Sequence, residues 1–346
     1  MRILVTGASG FVGSLLIPRL HEQGHTLTAL ARDPARVRHA LQPGDQRMRG
    51  EQAAHAIEVV RGDVLTGEGL PAALADVEVA YYLIHSMERS VQSSGRPVPF
   101  ADRDALAAHN FAQAAARAGL RRIVYLGGLL PRAQDAAGGA GRTPGNGDRA
   151  SRERAGAPLS RHLASRAHVE RTLLAAVADS LALRASIVIG ARSRSFRLLV
   201  HLIERLPVLT LPAWHALRTQ PIDARDVVQM LAACATARPP RRSLDVGGPD
   251  VLSYGQMLET IAELMLVNRP ALPLGVKLTG ITARLAAAIA GEDPELVLAL
   301  MEGLEGDLLP AEHHAAQLLG VRLHSFESAV EHSLAEWVQS EPLAAR

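Results

Sequence analysis

The chain has 346 residues, 48% of them hydrophobic and only 3% aromatic, and a formal net charge of +2. That is enough chain for a full α/β core with a smaller second lobe, and the core must be built mainly of Ala, Leu, Val and Ile. So weak a field, with no aromatic residues interleaved among basic ones, excludes nucleic-acid binding as the main function; a single cysteine, Cys234, excludes a disulfide within the chain and reads as a buried apolar side chain.

Ile3–Thr6 is a short apolar run that reads as a parallel strand. Gly7, Gly10 and Gly13 follow it at three-residue intervals, with Ser9 inside the turn. Gly7 allows the sharp exit, Gly10 lets a ligand approach the backbone, and Gly13 lets the next helix pack close to the sheet. That helix opens with Phe11 and Val12, and its free amides and positive end then face an anion. A strand before the glycines and a helix after them are the context in which this spacing marks a dinucleotide pyrophosphate site, with Ser9 as a phosphate donor.

The helix is expected over Phe11–Gln23, stopped by Gly24. Pro18 inside it would cost about 3 kcal/mol in a regular helix, which predicts a kink or an early break. His21-Glu-Gln-Gly-His25 matches a zinc-protease pattern, but that chemistry needs both histidines on one continuous helix. His25 leads into the next strand instead, so no metal site is expected. Further strands are read at Thr26–Ala31, Ile57–Arg61 (followed by Gly62-Asp63-Val64), Val77–Ile84, Arg122–Leu126 and Ala182–Ile189. Helices are read at Asp104–Ala118, closed by Gly119, and at Leu163–Val177. This alternation predicts an α/β fold of the Rossmann type, a doubly wound parallel sheet with helices on both faces. Tyr81, Tyr82 and Tyr125 fall in strands and read as core.

Residues 132–158, rich in Gly, Ala, Arg and Pro, lack an apolar period and read as a mobile loop at the ligand end of the sheet. Beyond Ile189, helices are expected at Phe196–Leu206, Pro221–Ala237 and Ser253–Met265, with a short strand at Leu244–Val246. Glu295–Val338 reads as mostly helical with a break at Gly320. The division is therefore a dinucleotide-binding domain over 1–190 and a smaller, mostly helical lobe over 191–346 for a substrate or partner, with 221–248 returning to the sheet. Leu272–Ala290 is interrupted by Lys277, the only lysine, and by Arg284, and is not read as a membrane span. The chain begins at once with a core strand and no signal peptide, so the cytoplasm is the expected compartment. Glu302, Glu305 and Asp307 read as a solvated acidic face, and the adjacent His313 and His314 point different ways on a helix.

Taken together, six runs resemble the atypical, extended branch of the short-chain dehydrogenase/reductase superfamily, close to the NmrA-like NAD(P)-binding proteins. They are Thr6-Gly-Ala-Ser-Gly-Phe-Val-Gly13, Gly62-Asp63-Val64, Tyr81-Tyr-Leu-Ile-His-Ser-Met87, Arg122-Ile-Val-Tyr-Leu-Gly-Gly128, Leu183-Arg-Ala-Ser-Ile-Val-Ile-Gly190 and Asp245-Val-Gly-Gly-Pro249. The resemblance runs from Met1 to about Leu258. It implies a nicotinamide dinucleotide, with Asp63 and Val64 at the adenine and Leu83, Ile84 and His85 laying the ribose against backbone. An acid at the tip of the second strand favours NAD, and a base favours NADP. Here Ala31 is followed by Arg32 and Asp33, so NADP(H) is expected, with NAD as the alternative.

Reductases of this superfamily pair a proton-donating tyrosine with a lysine four residues later. The resemblance places His162 and Arg166 at those two positions, and Gly127-Gly128 where a substrate-orienting serine is common. One account makes His162 a replacement acid, since imidazole has an unperturbed pKa of about 6.5, with Arg166 holding the ribose hydroxyls. The expected function is then an NADP(H)-dependent oxidoreductase acting on a small carbonyl, enone or quinone acceptor. The other account is a non-catalytic NADP(H)-sensing regulator or assembly factor that docks on a protein partner.

Overall fold

The computed structural model describes residues 1–41, 57–84, 100–130, 161–211, 213–273, 306–312 and 314–340. The expected loop at 132–158, His85, Lys277, Glu302, Glu305 and His313 lie outside the described residues. In chain order the first half comprises β1 (Arg2–Thr6), α1 (Phe11–Glu22), β2 (Thr26–Ala31), α2 (Pro34–Ala40), β3 (Ile57–Arg61), α3 (Leu70–Ala73), β4 (Val79–Tyr82), α4 (Phe100–Arg117), β5 (Arg122–Gly128), α5 (Arg161–Ala176) and β6 (Leu181–Ala185). There follow β7 (Val188–Ile189), α6 (Arg194–Arg205), β8 (Leu209–Leu211), a 3-10 turn (Ala213–Ala216), β9 (Arg218–Thr219), β10 (Ile222–Asp223), α7 (Ala224–Ala233) and β11 (Ser243–Val246). The chain closes with β12 (Leu252–Ser253), α8 (Tyr254–Leu264), β13 (Ala271–Pro273), α9 (Ala315–Leu318) and α10 (Phe326–Ser340).

Seven strands form one parallel sheet in the order β11-β6-β5-β4-β1-β2-β3. Its strands are apolar on both faces because helices cover both. Ile3 and Val5 of β1 enter the core beneath α1, α2 and α7, with Leu16, Ile17, Leu20, Val37 and Val227. Leu4 between them enters the opposite core, with Leu70, Phe111 and Leu173 from α3, α4 and α5. The strand order reverses between β1 and β4, and this opens a crevice at the carboxyl ends of the strands. A third core, around Phe196, Met257 and Trp337, joins α6, α8 and α10, and three two-stranded ladders flank these helices. Among the described residues no helix is long and apolar enough to cross a membrane.

Three expectations need correction. Helix α1 runs through Pro18 without a break; the roughly 3 kcal/mol lost there is outweighed by complete burial of Leu16, Ile17 and Leu20, each of which contributes about 1.5–3 kcal/mol. The sixth strand is two pieces. β6 stops at Ala185, Ser186 Oγ pairs with Thr219 Oγ1 at 3.0 Å, and β7 leaves the sheet to pair with β10. Pro221 does not start a helix: Ile222–Asp223 is extended, and the Asp223 carboxylate caps α7 by accepting from Arg225 N at 2.7 Å. Asp307 is exposed, as expected of a solvated acid, and its Oδ2 accepts from both Nε and Nη2 of Arg218, at 2.9 and 2.7 Å. Gly24 does end α1, in the left-handed region at φ 78°, with His25 N bonded back to Leu20 O. His25 is therefore off the helix that carries His21.

Candidate functional site

The carboxyl ends of β1 and β4 are tied together. Thr6 Oγ1 donates to Tyr81 O at 3.0 Å and accepts from Leu83 N at 3.4 Å. The chain then turns at Gly7, whose φ of +75° suits glycine and whose Cβ, were there one, would lie 2.7 Å from Leu83 O. Gly10 N donates to Gly7 O at 2.9 Å and closes the turn. A Cβ at Gly13 would run into Gly7 O and stand 2.9 Å from its carbonyl carbon. Gly10 caps α1 without any side-chain bond, so the cap itself offers no acceptor to the first-turn amides of Phe11, Val12 and Gly13. They face the crevice along the helix dipole. Ser9 stands half-buried in the same turn. Open amides in a turn where neighbouring backbone leaves no room for a Cβ at Gly7 or Gly13 fit a diphosphate group.

On the side of β2 and β3, Arg32 and Arg36 are exposed, and neither has an ion-pair partner among the described residues. Asp33, the acid next to Arg32, is committed as the cap of α2, accepting from Ala35 N at 2.9 Å. Asp63 Oδ1 accepts from Leu65 N at 2.9 Å. Asn110 on α4 donates to Val64 O at 3.2 Å and to Leu65 O at 2.8 Å, so the turn at Asp63 and Val64 is held from the neighbouring helix. Leu83 and Ile84 lie half-buried past β4.

The third part of the site comes from α5 and β5. His162 and Arg166 sit one turn apart, both half-buried. Burial first, and the Arg166 charge second, hold His162 down at about 4. The ring is therefore neutral at neutral pH, which corrects the expectation of an unperturbed imidazole. Tyr81, Tyr82 and Tyr125 are core, 0–1% exposed. The Arg166 guanidinium lies against the Tyr125 hydroxyl; burial raises that phenol's pKa and Arg166 opposes the rise.

Sequence reasoning missed three residues here. Asn110 gives no signal outside an ordinary helix. Arg36 becomes visible once Asp33-Pro34 is read as a cap followed by a first-turn proline. Arg192, in the turn after β7, donates to Ser14 Oγ on α1 at 3.0 Å across 178 positions, a contact no local pattern announces.

Residues 3–247 match the sequence model of the NAD dependent epimerase/dehydratase family. A stretch of 35 residues is 60% identical to dihydroflavonol 4-reductase of Zea mays, spanning a tenth of this chain and a tenth of that protein. Among solved structures, MoeE5 in complex with UDP-glucose and NAD is 20% identical with a TM-score of 0.63, over 98% of this chain and 99% of its own. The UDP-glucuronic acid 4-epimerase of Bacillus cereus, in complex with UDP-glucuronic acid and NAD, is 16% identical with a TM-score of 0.64 over 98% and 99%. WbmG of Bordetella bronchiseptica, in complex with NAD and UDP, is 16% identical with a TM-score of 0.67 over 98% and 95%. At these identities the likeness is one of fold.

Proposed function

The chain belongs to the NAD dependent epimerase/dehydratase family, an extended short-chain dehydrogenase/reductase family, and from that premise we propose that it is an NADP(H)-binding oxidoreductase. The observation that carries this is the uncapped start of α1 behind Gly7, Gly10 and Gly13, where backbone crowding excludes side chains and leaves amides for a diphosphate. NAD in the neighbouring structures supports a nicotinamide dinucleotide. Arg32 and Arg36 support the phosphorylated form, because Arg32, just past β2, and Arg36, in the first turn of α2, are both exposed while Asp33 is spent on the cap of α2.

A bound nicotinamide supplies hydride. The residues of the chain do the rest. Phe11, Val12 and Gly13 amides, with Ser9, bind the pyrophosphate; Arg32 and Arg36 take the 2′-phosphate; Asp63 and Val64 border the adenine; Leu83 and Ile84 bring backbone to the ribose. His85 is assigned to that last group by its place in the sequence alone. Arg166 holds the nicotinamide ribose. His162 offers a neutral ring N–H as a hydrogen bond to the substrate oxygen, and the proton that completes the reduction is taken from solvent. A small carbonyl, enone or quinone is the acceptor class.

A second reading is a non-catalytic NADP(H)-responsive regulator or assembly factor. The depressed pKa of His162 and the glycines at 127 and 128 favour it, since none of these supplies an acidic proton at neutral pH. Calorimetric titration with NADPH and NADH tests the common ground. At least a tenfold preference for NADPH, lost in Arg32→Ala, supports the cofactor assignment; equal affinities overturn the NADP part, and no binding overturns the whole. A screen of carbonyl, enone and quinone acceptors for NADPH oxidation then separates the two readings.

A further inference from the structure

We propose that Tyr125 is a positioning residue: its hydroxyl, delivered from β5, seats the Arg166 guanidinium where the nicotinamide ribose is held. The inference rests on the dinucleotide reading above and adds to it a residue that the family comparison does not single out.

The first observation is a trade of volumes at the end of β5. A Cβ added at Gly127 would lie 2.8 Å from Cε1, 3.4 Å from Cζ and 3.5 Å from Oη of Tyr125. Residues two apart on a strand share a face of the sheet. The Tyr125 ring thus leans along the strand into the room a side chain at 127 would take, and carries its hydroxyl toward the carboxyl end of β5. Behind it the ring is braced by Tyr82, centroids 6.2 Å apart, which meets Phe111 edge-on at 5.1 Å.

The second observation is the hydroxyl itself. Tyr81, on the other face of the sheet, donates its hydroxyl to Leu231 O at 2.9 Å. Tyr125 Oη is buried and makes no hydrogen bond of good geometry. Folds rarely leave such a group unsatisfied. The Arg166 guanidinium lies against it, and the cation draws the phenol's pKa down against burial, while Glu170 and Asp104 push it up. Glu170, one turn beyond Arg166 on α5, is committed elsewhere: it takes Arg184 at 2.7–3.1 Å and Ser243 Oγ at 2.6 Å. Arg166 is therefore the cation within hydrogen-bonding reach of the buried phenol. Hydrogen bonds in a binding site commonly tighten when the ligand arrives. The ribose hydroxyls, by fixing one edge of the guanidinium, turn another edge onto the phenol.

The test titrates the full-length protein and its Tyr125→Phe, Arg166→Ala and doubly substituted forms with NADPH and, separately, with 2′,5′-ADP, which lacks the nicotinamide riboside. Tyr125→Phe keeps the ring and removes only the hydroxyl. It is expected to weaken NADPH about tenfold, the scale of a hydrogen bond to a charged group, and to leave 2′,5′-ADP unchanged. The double variant is expected to be no worse than Arg166→Ala, because the phenol acts through the guanidinium. Gly127→Ala, which keeps both polar groups but displaces the ring and its hydroxyl, should mimic Tyr125→Phe. Wild-type NADPH affinity in Tyr125→Phe, additive losses in the double variant, or equal losses for both ligands would overturn the proposal. If the unsubstituted protein binds neither ligand, the dinucleotide reading fails first and the proposal fails with it.

Discussion

His324 Nδ1 stands 2.6 Å from Oδ1 of Asp226, a carboxylate whose side chain is wholly buried, and the backbone N–H of His324 donates to the other oxygen at 2.8 Å. Two hydrogen bonds from one residue thus pin the segment entering α10 to α7, 98 positions away in sequence. Burial raises the Asp226 pKa, and both His324 bonds oppose the rise.

His324→Ala removes the ring and leaves the carboxylate buried without it, so unfolding stability at pH 7 is expected to fall by about 3 kcal/mol. Asp226→Asn should cost less, and the double variant should recover much of the His324→Ala loss. An acid whose folded pKa lies above its unfolded value, near 3.9, lowers stability as pH rises through that interval and contributes nothing below it. The deficit of His324→Ala should therefore narrow as the carboxyl takes up its proton on acidification. Urea unfolding of the four proteins at neutral and acid pH measures both effects.

The glycine turn predicts an order of damage. Gly13→Ala forces a Cβ into Gly7 O, whereas a Cβ at Gly10 would meet the same oxygen at 3.0 Å. Gly13→Ala should lose about 1–3 kcal/mol of stability and more than tenfold in NADPH affinity; Gly10→Ala should be milder in both. Thermal unfolding with and without NADPH gives the two readouts from one sample.

Asp33 and Arg32 are neighbours with opposite predicted phenotypes. Asp33→Ala removes the cap of α2 and should cost about 1 kcal/mol, while the preference for NADPH over NADH stays or grows as a nearby negative charge disappears. Arg32→Ala should leave stability unchanged and abolish the preference. If Asp33→Ala abolished it instead, the assignment of the 2′-phosphate to this corner would be wrong.

His162 is held at about 4 by burial and by Arg166. With a folded pKa below the unfolded value of about 6.5, the unfolded chain binds the extra proton between those limits, so stability is lost as pH falls from about 6.5 to about 4. Replacing His162 with Phe should flatten that part of the stability profile. Titration of the His162 ring by NMR should show no midpoint between pH 6 and 7; a midpoint there would restore it as an imidazolium donor.

Much of the parallel sheet was legible because its signals are local. The run Arg2–Gly13 carries strand, turn and helix start within one window, and Gly24 carries the stop. The boundaries that went astray lie where distant groups intervene: Ser186 meeting Thr219 ended β6 early, and pairing with β7 made Ile222–Asp223 extended. The same holds for the site. Its glycines were readable one by one, but the protonation of His162 was not, since the burial that sets it is contributed by other elements.

Periodicity and glycine spacing in the sequence determined that this chain winds a parallel sheet and presents open amides at its first turn, because those properties follow from steric limits within a few residues. Tertiary structure alone decided how Gly127 makes room for the Tyr125 ring, how Arg166 comes to lie on its hydroxyl, and how Asp226 is buried beneath His324. These depend on which surfaces meet after the strands have ordered themselves in space, and that ordering is set by the packing of whole faces rather than by any short stretch of chain.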